Sequence, residues 1–247
     1  MSLRDAYVDL VLGGSCVGCG RPGRLLCVGC RAELPDRARL AWPTPTPSGL
    51  ARPYAAAPYA GTVKQMVLGL KERRMLGLAR PLGELLALSV AEAVLGAPTD
   101  VPLLLVPVPS RPASLRERGH DSTYAVTARA ARVLRRAGWP AAGVRLLRTR
   151  PGVVDQAGLD AAGRAANLAG SMTCPSPGLR RLARRWPRAL LVVCDDVLTT
   201  GSTAREAQRA LEAVGLRVAA VATVAATARR TLPTSQRPGI SSRTPLT

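Results

Sequence analysis

The sequence predicts an α/β protein: a mostly parallel sheet flanked by helices and preceded by a small four-cysteine unit. Three observations carry this expectation. Apolar runs of strand length alternate with longer segments of helical period from residue 59 to residue 226, the order that builds βα units around a parallel sheet. The run Leu190-Leu-Val-Val-Cys194 is unbroken, as expected of a strand buried on both faces. Residues 16–30 hold two Cys-Val-Gly-Cys knuckles separated by seven residues, a spacing that fits four thiolates around one tetrahedral ion.

Composition narrows the classes. The 247 residues are 47% apolar, enough for a sizeable core. Phe is absent, so Leu, Val and Ala must fill that core. No apolar run approaches the roughly 20 residues of a membrane span. The first residues include Asp5 and Asp9 and lack a basic leader, which argues against a signal peptide and for a cytoplasmic location. Net charge is +19, from 35 basic and 16 acidic residues, and Lys64 and Lys71 are the only lysines. Such an excess favours polyanionic partners, either nucleic acid or a pyrophosphate. It is also uneven: ten arginines lie between Arg111 and Arg150, and five between Arg180 and Arg188.

Along the chain, residues 1–40 form the cysteine unit, with a short helix expected over Leu3–Leu12. Cys16, Cys19, Cys27 and Cys30 read as ligands of a structural zinc, ahead of disulfides or an iron–sulfur cluster, because four thiolates leave no open position. Residues 41–58 are rich in Pro and read as a stiff linker. The main domain is expected over 59–228 and a disordered basic tail over 229–247. In the main domain, Gly61–Lys71 predicts a helix with Val63, Met66, Val67 and Leu70 on one face, and a second helix fits Gly77–Leu95. Val101–Pro109 reads as a strand whose prolines sit at its ends or an edge. An arginine-rich turn, Ser110–His120, leads into a helix over Asp121–Arg136. A strand at Val144–Leu147, a helix at Leu159–Leu168 and a basic insertion at Pro175–Pro187 follow. The strand from Leu190, a helix over Thr203–Val214 and a last strand over Leu216–Ala226 complete the domain.

The most informative stretch is Asp195-Asp196-Val-Leu-Thr199-Thr200-Gly201-Ser202-Thr203, at the expected end of the buried strand. Its small residues let backbone N–H groups converge on an anion. A helix follows directly, with Thr203 and Glu206 spaced as a capping box and Gly215 placed to stop it. A phosphate there meets unpaired N–H donors and the positive end of the helix dipole. Two acids beside a phosphate cradle suit a ligand carrying both a sugar diol and a phosphate.

This segment resembles the phosphoribosyl-pyrophosphate (PRPP) loop of type I phosphoribosyltransferases. The wider order is paired Cys knuckles, a Tyr-x-Gly helix ending in Leu-Lys, Val-Pro-Val-Pro, Leu115-Arg-Glu-Arg-Gly119, Gln156 ahead of Arg164–Gly170, then the loop. That order resembles the ComF family, competence-associated proteins of phosphoribosyltransferase type with an N-terminal zinc knuckle, over roughly residues 10–228. The resemblance implies a type I phosphoribosyltransferase-like fold. It implies that Asp195 and Asp196 contact ribose hydroxyls and that Thr199, Thr200, Gly201, Ser202 and Thr203 hold the 5′-phosphate. Ser110, Arg111, Arg116 and Arg118 are candidates for the pyrophosphate, with Lys71 more distant, and magnesium would accompany the PRPP. One departure stands out: the family's Arg-Gly-Phe-Asn-Gln is here Arg118-Gly-His-Asp-Ser122. Asp121 or Ser122 can still cap the helix, and His120 reads as a solvated loop residue.

No motif names an acceptor, so pentosyl transfer is implied on the donor side alone. Cys194 reads as core. The alternative is a non-catalytic protein that handles single-stranded DNA during uptake, in contact with the uptake machinery and with PRPP as regulator. Charge favours that alternative, and the shortage of aromatics for base stacking opposes it.

Overall fold

A computed structural model describes residues 14–110, 115–117, 119–150 and 170–227. The expected helices at Leu3–Leu12 and Leu159–Leu168, the Gln156 and Arg164–Asn167 positions, Arg111, Arg118 and the tail lie outside them.

The described residues are built around a sheet of six strands: β1 (Arg39–Leu40), β2 (Pro53–Pro58), β3 (Leu103–Pro107), β4 (Ala141–Gly143), β7 (Leu190–Leu198) and β8 (Val218–Ala226), in the order β1-β2-β8-β7-β3-β4. Every pairing is parallel except that of the short edge strand β1 with β2. A separate antiparallel pair joins β5 (Arg148–Thr149) to β6 (Met172–Thr173).

Strand periodicity divides the apolar residues between two cores. Leu103, Leu105, Val192 and Cys194 point to one face, where they meet α2 (Gly61–Glu72), α3 (Ala79–Ala93) and α4 (Ser122–Arg136). Leu104, Val106, Leu191 and Val193 point to the other, beneath α5 (Ser176–Arg185) and α6 (Ser202–Glu212). Both central strands are thus covered on both sides, as their unbroken apolar sequence requires. The helical face expected for α2 is the buried one: Val63, Met66, Val67 and Leu70 are all in the first core.

Three expectations are corrected. Residues 53–58 are not linker: they form β2, paired in parallel with β8. Its Ala55-Ala56-Ala57 centre carries no β-branched side chain, so nothing in the composition marks it as strand. Residues 43–51 are not a spacer either, because they lie along α6. Arg205 Nε donates to the Ser48 carbonyl (2.9 Å), Gln208 Nε2 donates to the Gly49 carbonyl (2.9 Å), and Gln208 Oε1 accepts from Ala51 N (2.9 Å). Third, the strand expected at Val144–Leu147 lies at Ala141–Gly143, whose small residues let α4 approach, while Leu146 and Leu147 fill the second core.

The cysteine unit, with its short helix α1 (Val28–Ala32), docks on this frame. Val17, Leu25 and Leu26 pack against the first core, and Arg31 forms an ion pair with Glu84 of α3.

Gly83 sets the crossing of α3 over α4. A Cβ there would lie 2.4 Å from Arg129 Cβ and 3.1 Å from the Val126 carbonyl oxygen. Gly83→Ala gains up to ~1 kcal/mol of helix propensity. Forcing these backbones apart costs about 1–3 kcal/mol, so the substitution is expected to destabilise. Thermal unfolding should show a lowered midpoint; an unchanged or raised one refutes this close approach.

Candidate functional site

β3 continues through α4 to β4 on its outer side, while β7 continues through α6 to β8 on the opposite side. Strand order therefore reverses between β3 and β7, and in open α/β sheets ligands bind at the carboxyl ends of such a pair. A crevice of about 390 Å³ opens there, within the ~300–1,000 Å³ typical of small-molecule sites.

The acidic pair lies inside β7 rather than beyond it. β7 keeps pairing with β8 through Leu198, but β3 stops at Pro107, opposite Cys194. From Asp195 onward one flank of β7 has no strand beside it among the described residues, and this flank forms a crevice wall. Asp195 Oδ1 accepts from Asp196 N (2.8 Å), and Asp196 Oδ1 accepts from Val197 N (2.8 Å). Asp196 is nearly buried, its carboxylate ion-paired with Lys71 in the last turn of α2. Its Oδ2 is the oxygen that faces the Lys71 ammonium, so the ion pair carries its compensation. Asp195 is held well above the usual carboxylate range by burial and by the charge of Asp196, with Lys71 pulling the other way.

The phosphate-loop candidates divide. Thr199 and Thr203 line the crevice. Gly201 is the N-cap of α6 in the left-handed region (φ 76°), and Thr200 Oγ1 donates to Ser202 Oγ (3.1 Å) across it. Pro43, Pro47 and Leu50 pack behind Gly201. The Thr203–Glu206 capping box does not form. Because α6 starts at Ser202, Glu206 falls past the first turn and points away from the helix N-terminus. It is buried, accepting from Met172 N (2.9 Å) and from Arg209 Nε (2.7 Å) and Nη2 (2.8 Å). Burial opposes its charge, yet these donors hold it below the usual range.

On the opposite wall, Ser110 lines the crevice and donates to Asp121 Oδ1 (3.2 Å). Asp121 caps α4 by accepting from Tyr124 N (3.0 Å), as the sequence suggests. His120 is half-buried rather than solvated, its Nε2 3.1 Å from the Leu70 carbonyl oxygen at the end of α2. A helix-terminal carbonyl needs such a partner, and this contact joins the residue before the α4 cap to α2 beside Lys71. Arg116 is exposed on the turn 115–117 and is not part of the crevice lining.

Tyr59, Ser122 and Thr123 also line the crevice, and the sequence did not mark them as site residues. Their signal was positional: Tyr59 directly follows β2 and Ser122 opens α4, both at the carboxyl end of the sheet.

The cysteine unit holds a second site. The sulfurs of Cys16, Cys19, Cys27 and Cys30 all lie within 4.8 Å of one another, and Cys19 and Cys27 are 3.7 Å apart. Tetrahedral thiolates ~2.3 Å from a metal stand roughly 3.8 Å apart, so the four can hold one metal ion such as zinc. Burial pushes the Cys16 thiol up, but N–H donors from Cys27, Cys19 and Gly18 outweigh it and bring the group to about 6. Cys194 is fully buried, and burial pushes its thiol up, as befits a core residue. Among the described residues no helix is long and apolar enough to cross a membrane.

No protein-family model matches the chain, and no curated protein matches it either.

An acid whose folded pKa lies above its unfolded one binds its proton more tightly when folded, so stability falls as pH rises through that interval. Asp195→Asn keeps the acceptor for Asp196 N and removes the like charge. It should therefore stabilise the protein at pH 7, on the order of 1 kcal/mol or roughly 2–4 °C. The gain should shrink as pH is lowered toward the ordinary carboxylate range. A midpoint lowered at pH 7 rules this out.

Proposed function

We propose that this chain is a ComF-like protein of the phosphoribosyltransferase type that binds PRPP in the β3–β7 crevice. The observation that carries the proposal is the meeting of an acidic pair, the N-terminus of α6 and one lysine at the reversal of strand order. Asp195 and Asp196 supply acceptors for the ribose hydroxyls. Thr199 and Thr203, with the N–H groups that open α6, receive the 5′-phosphate. Lys71 and Ser110, on the far side of the acids, face the diphosphate. Magnesium, a hard cation suited to phosphate and carboxylate oxygens, would accompany the ligand and neutralise the departing charge.

In the transfer reaction an acceptor's lone pair forms a bond to ribose C1 while the C1–O bond to diphosphate breaks. The protein's part is to hold the sugar and stabilise the leaving anion. The acceptor wall would include Tyr59, whose ring offers a face to a planar base.

A second reading, contact with single-stranded DNA, has its own support. Arg180, Arg184, Arg185 and Arg188 are exposed along and just after α5, and the Arg185 guanidinium lies 4.9 Å from the Trp186 ring centroid. Phosphate contacts of this kind weaken steeply with salt.

We read the four-cysteine site as a structural zinc centre. Metal analysis should find one zinc per chain, lost in Cys16→Ser; a folded, metal-free protein refutes the assignment. Titration calorimetry with PRPP and magnesium should show binding that Asp195→Asn with Asp196→Asn abolishes, and unchanged affinity rejects the ribose contacts. A screen of bases and amines for pyrophosphate release separates transfer from binding.

A further inference from the structure

The turn that opens α6 is supported from behind. Gly201 carries the chain into the helix from the left-handed region. Glycine reaches many other conformations at little cost, so a fixed arrangement of the N–H groups after it needs an outside support. The strap of residues 43–51 supplies one. A Cβ on Gly201 would lie 3.1 Å from Leu50 Cδ2 and from Pro43 Cγ, and 3.4 Å from Pro47 Cδ. None of the described residues 43–51 lines the crevice, so the strap would act on a ligand there through the turn.

Gln208 ties the strap to the helix that it supports. It lies about two helical turns beyond Gly201 and is buried, 5% exposed. Its Nε2 donates to the Gly49 carbonyl and to Glu212 Oε1 (2.7 Å), and its Oε1 accepts from Ala51 N. An amide supplies two donors and an acceptor in one planar group, which matches these three partners. At the other end of the strap, Thr46 Oγ1 donates to the Pro43 carbonyl (2.7 Å) and closes the segment where it meets Gly201.

Building on the PRPP reading, we propose that Gln208 is a positioning residue for the 5′-phosphate. Through the strap it fixes Gly201, and with it the N–H groups that open α6. Gln208 itself touches no ligand. A cradle already in shape does not have to be ordered when the phosphate arrives, and affinity rises by that saving. The effect is confined to one end of the crevice, because Lys71 and Ser110, on the diphosphate side, stand on other elements.

The test uses the full chain and constant magnesium, with ribose 5-phosphate and pyrophosphate as separate calorimetric probes. Gln208→Met keeps the side-chain length and offers the strap no hydrogen bond. It should weaken ribose 5-phosphate by about 5-fold or more and leave pyrophosphate within about 2-fold. Hydrogen exchange of the amides at 200–203 should quicken in the same variant. Thr46→Val, a milder cut at an exposed residue, should shift ribose 5-phosphate alone in the same direction. Equal losses of both probes, which a general loosening of the fold would give, overturn the positioning role and leave the PRPP reading standing. Unchanged ribose 5-phosphate binding in a folded Gln208→Met does the same. A wild type that binds neither ribose 5-phosphate nor PRPP overturns that reading, and the positioning role with it. If Gln208→Met fails to fold, the split between the probes in Thr46→Val decides.

Discussion

The site exists because β7 outruns β3. The two strands pair through Cys194, after which β3 turns away and β7 continues against β8 to Leu198. A strand buried on both faces cannot also carry a pair of carboxylates unless one flank is open. The early end of β3 supplies that opening where Asp195 and Asp196 stand. Moving the acids two residues back would bury them between β3 and β8; moving them two residues on would leave them in a surface turn. Their usefulness comes from the intermediate position, where desolvation raises Asp195 without removing Asp196 from its counter-ion.

The remaining crevice walls follow from the same parallel architecture. Each parallel strand delivers its successor loop to one end of the sheet, so Tyr59, Ser110 and the Thr199–Thr203 turn converge although they are far apart in sequence. α2 contributes from the side, its amphipathic face fixed by Met66 and Leu70 in the core, so that its last turn carries Lys71 to the acids. None of the described residues of the cysteine unit lines the crevice. The unit rests on the first core through Val17, Leu25 and Leu26, and it stabilises the frame on which α2 sits.

The architecture was legible where apolar periodicity was strong: β7, the buried face of α2, and the α4 helix with its Asp121 cap. It was illegible where sheet contacts are made by small side chains, as in Ala55–Ala57 of β2 and Ala141–Gly143 of β4, because such residues carry no strand preference of their own. In the site, the acidic pair and the turn after it were visible as local pattern. Lys71 was ranked below the arginines because nothing local shows that α2 ends against β7. His120 was misjudged for the same reason, since its partner, the Leu70 carbonyl, lies fifty residues earlier. The Thr203–Glu206 spacing satisfied a capping rule, yet Met172 and Arg209 claim the glutamate, a case of tertiary bonding overriding a local motif.

The strap over α6 has a consequence for how the molecule comes into being. Gln208 binds Gly49 and Ala51 across 159 and 157 residues of chain. Pro43, Pro47 and Leu50, which back Gly201, wait equally long. During synthesis at ~5–20 residues per second, the early segment therefore has no surface to lie on until α6 has emerged. Such a distant closure belongs late in folding. The turn at the head of α6 takes its supported shape only when the two halves of the chain have met. A fragment lacking the early half would keep the sequence signature of a phosphate cradle without the wall behind it.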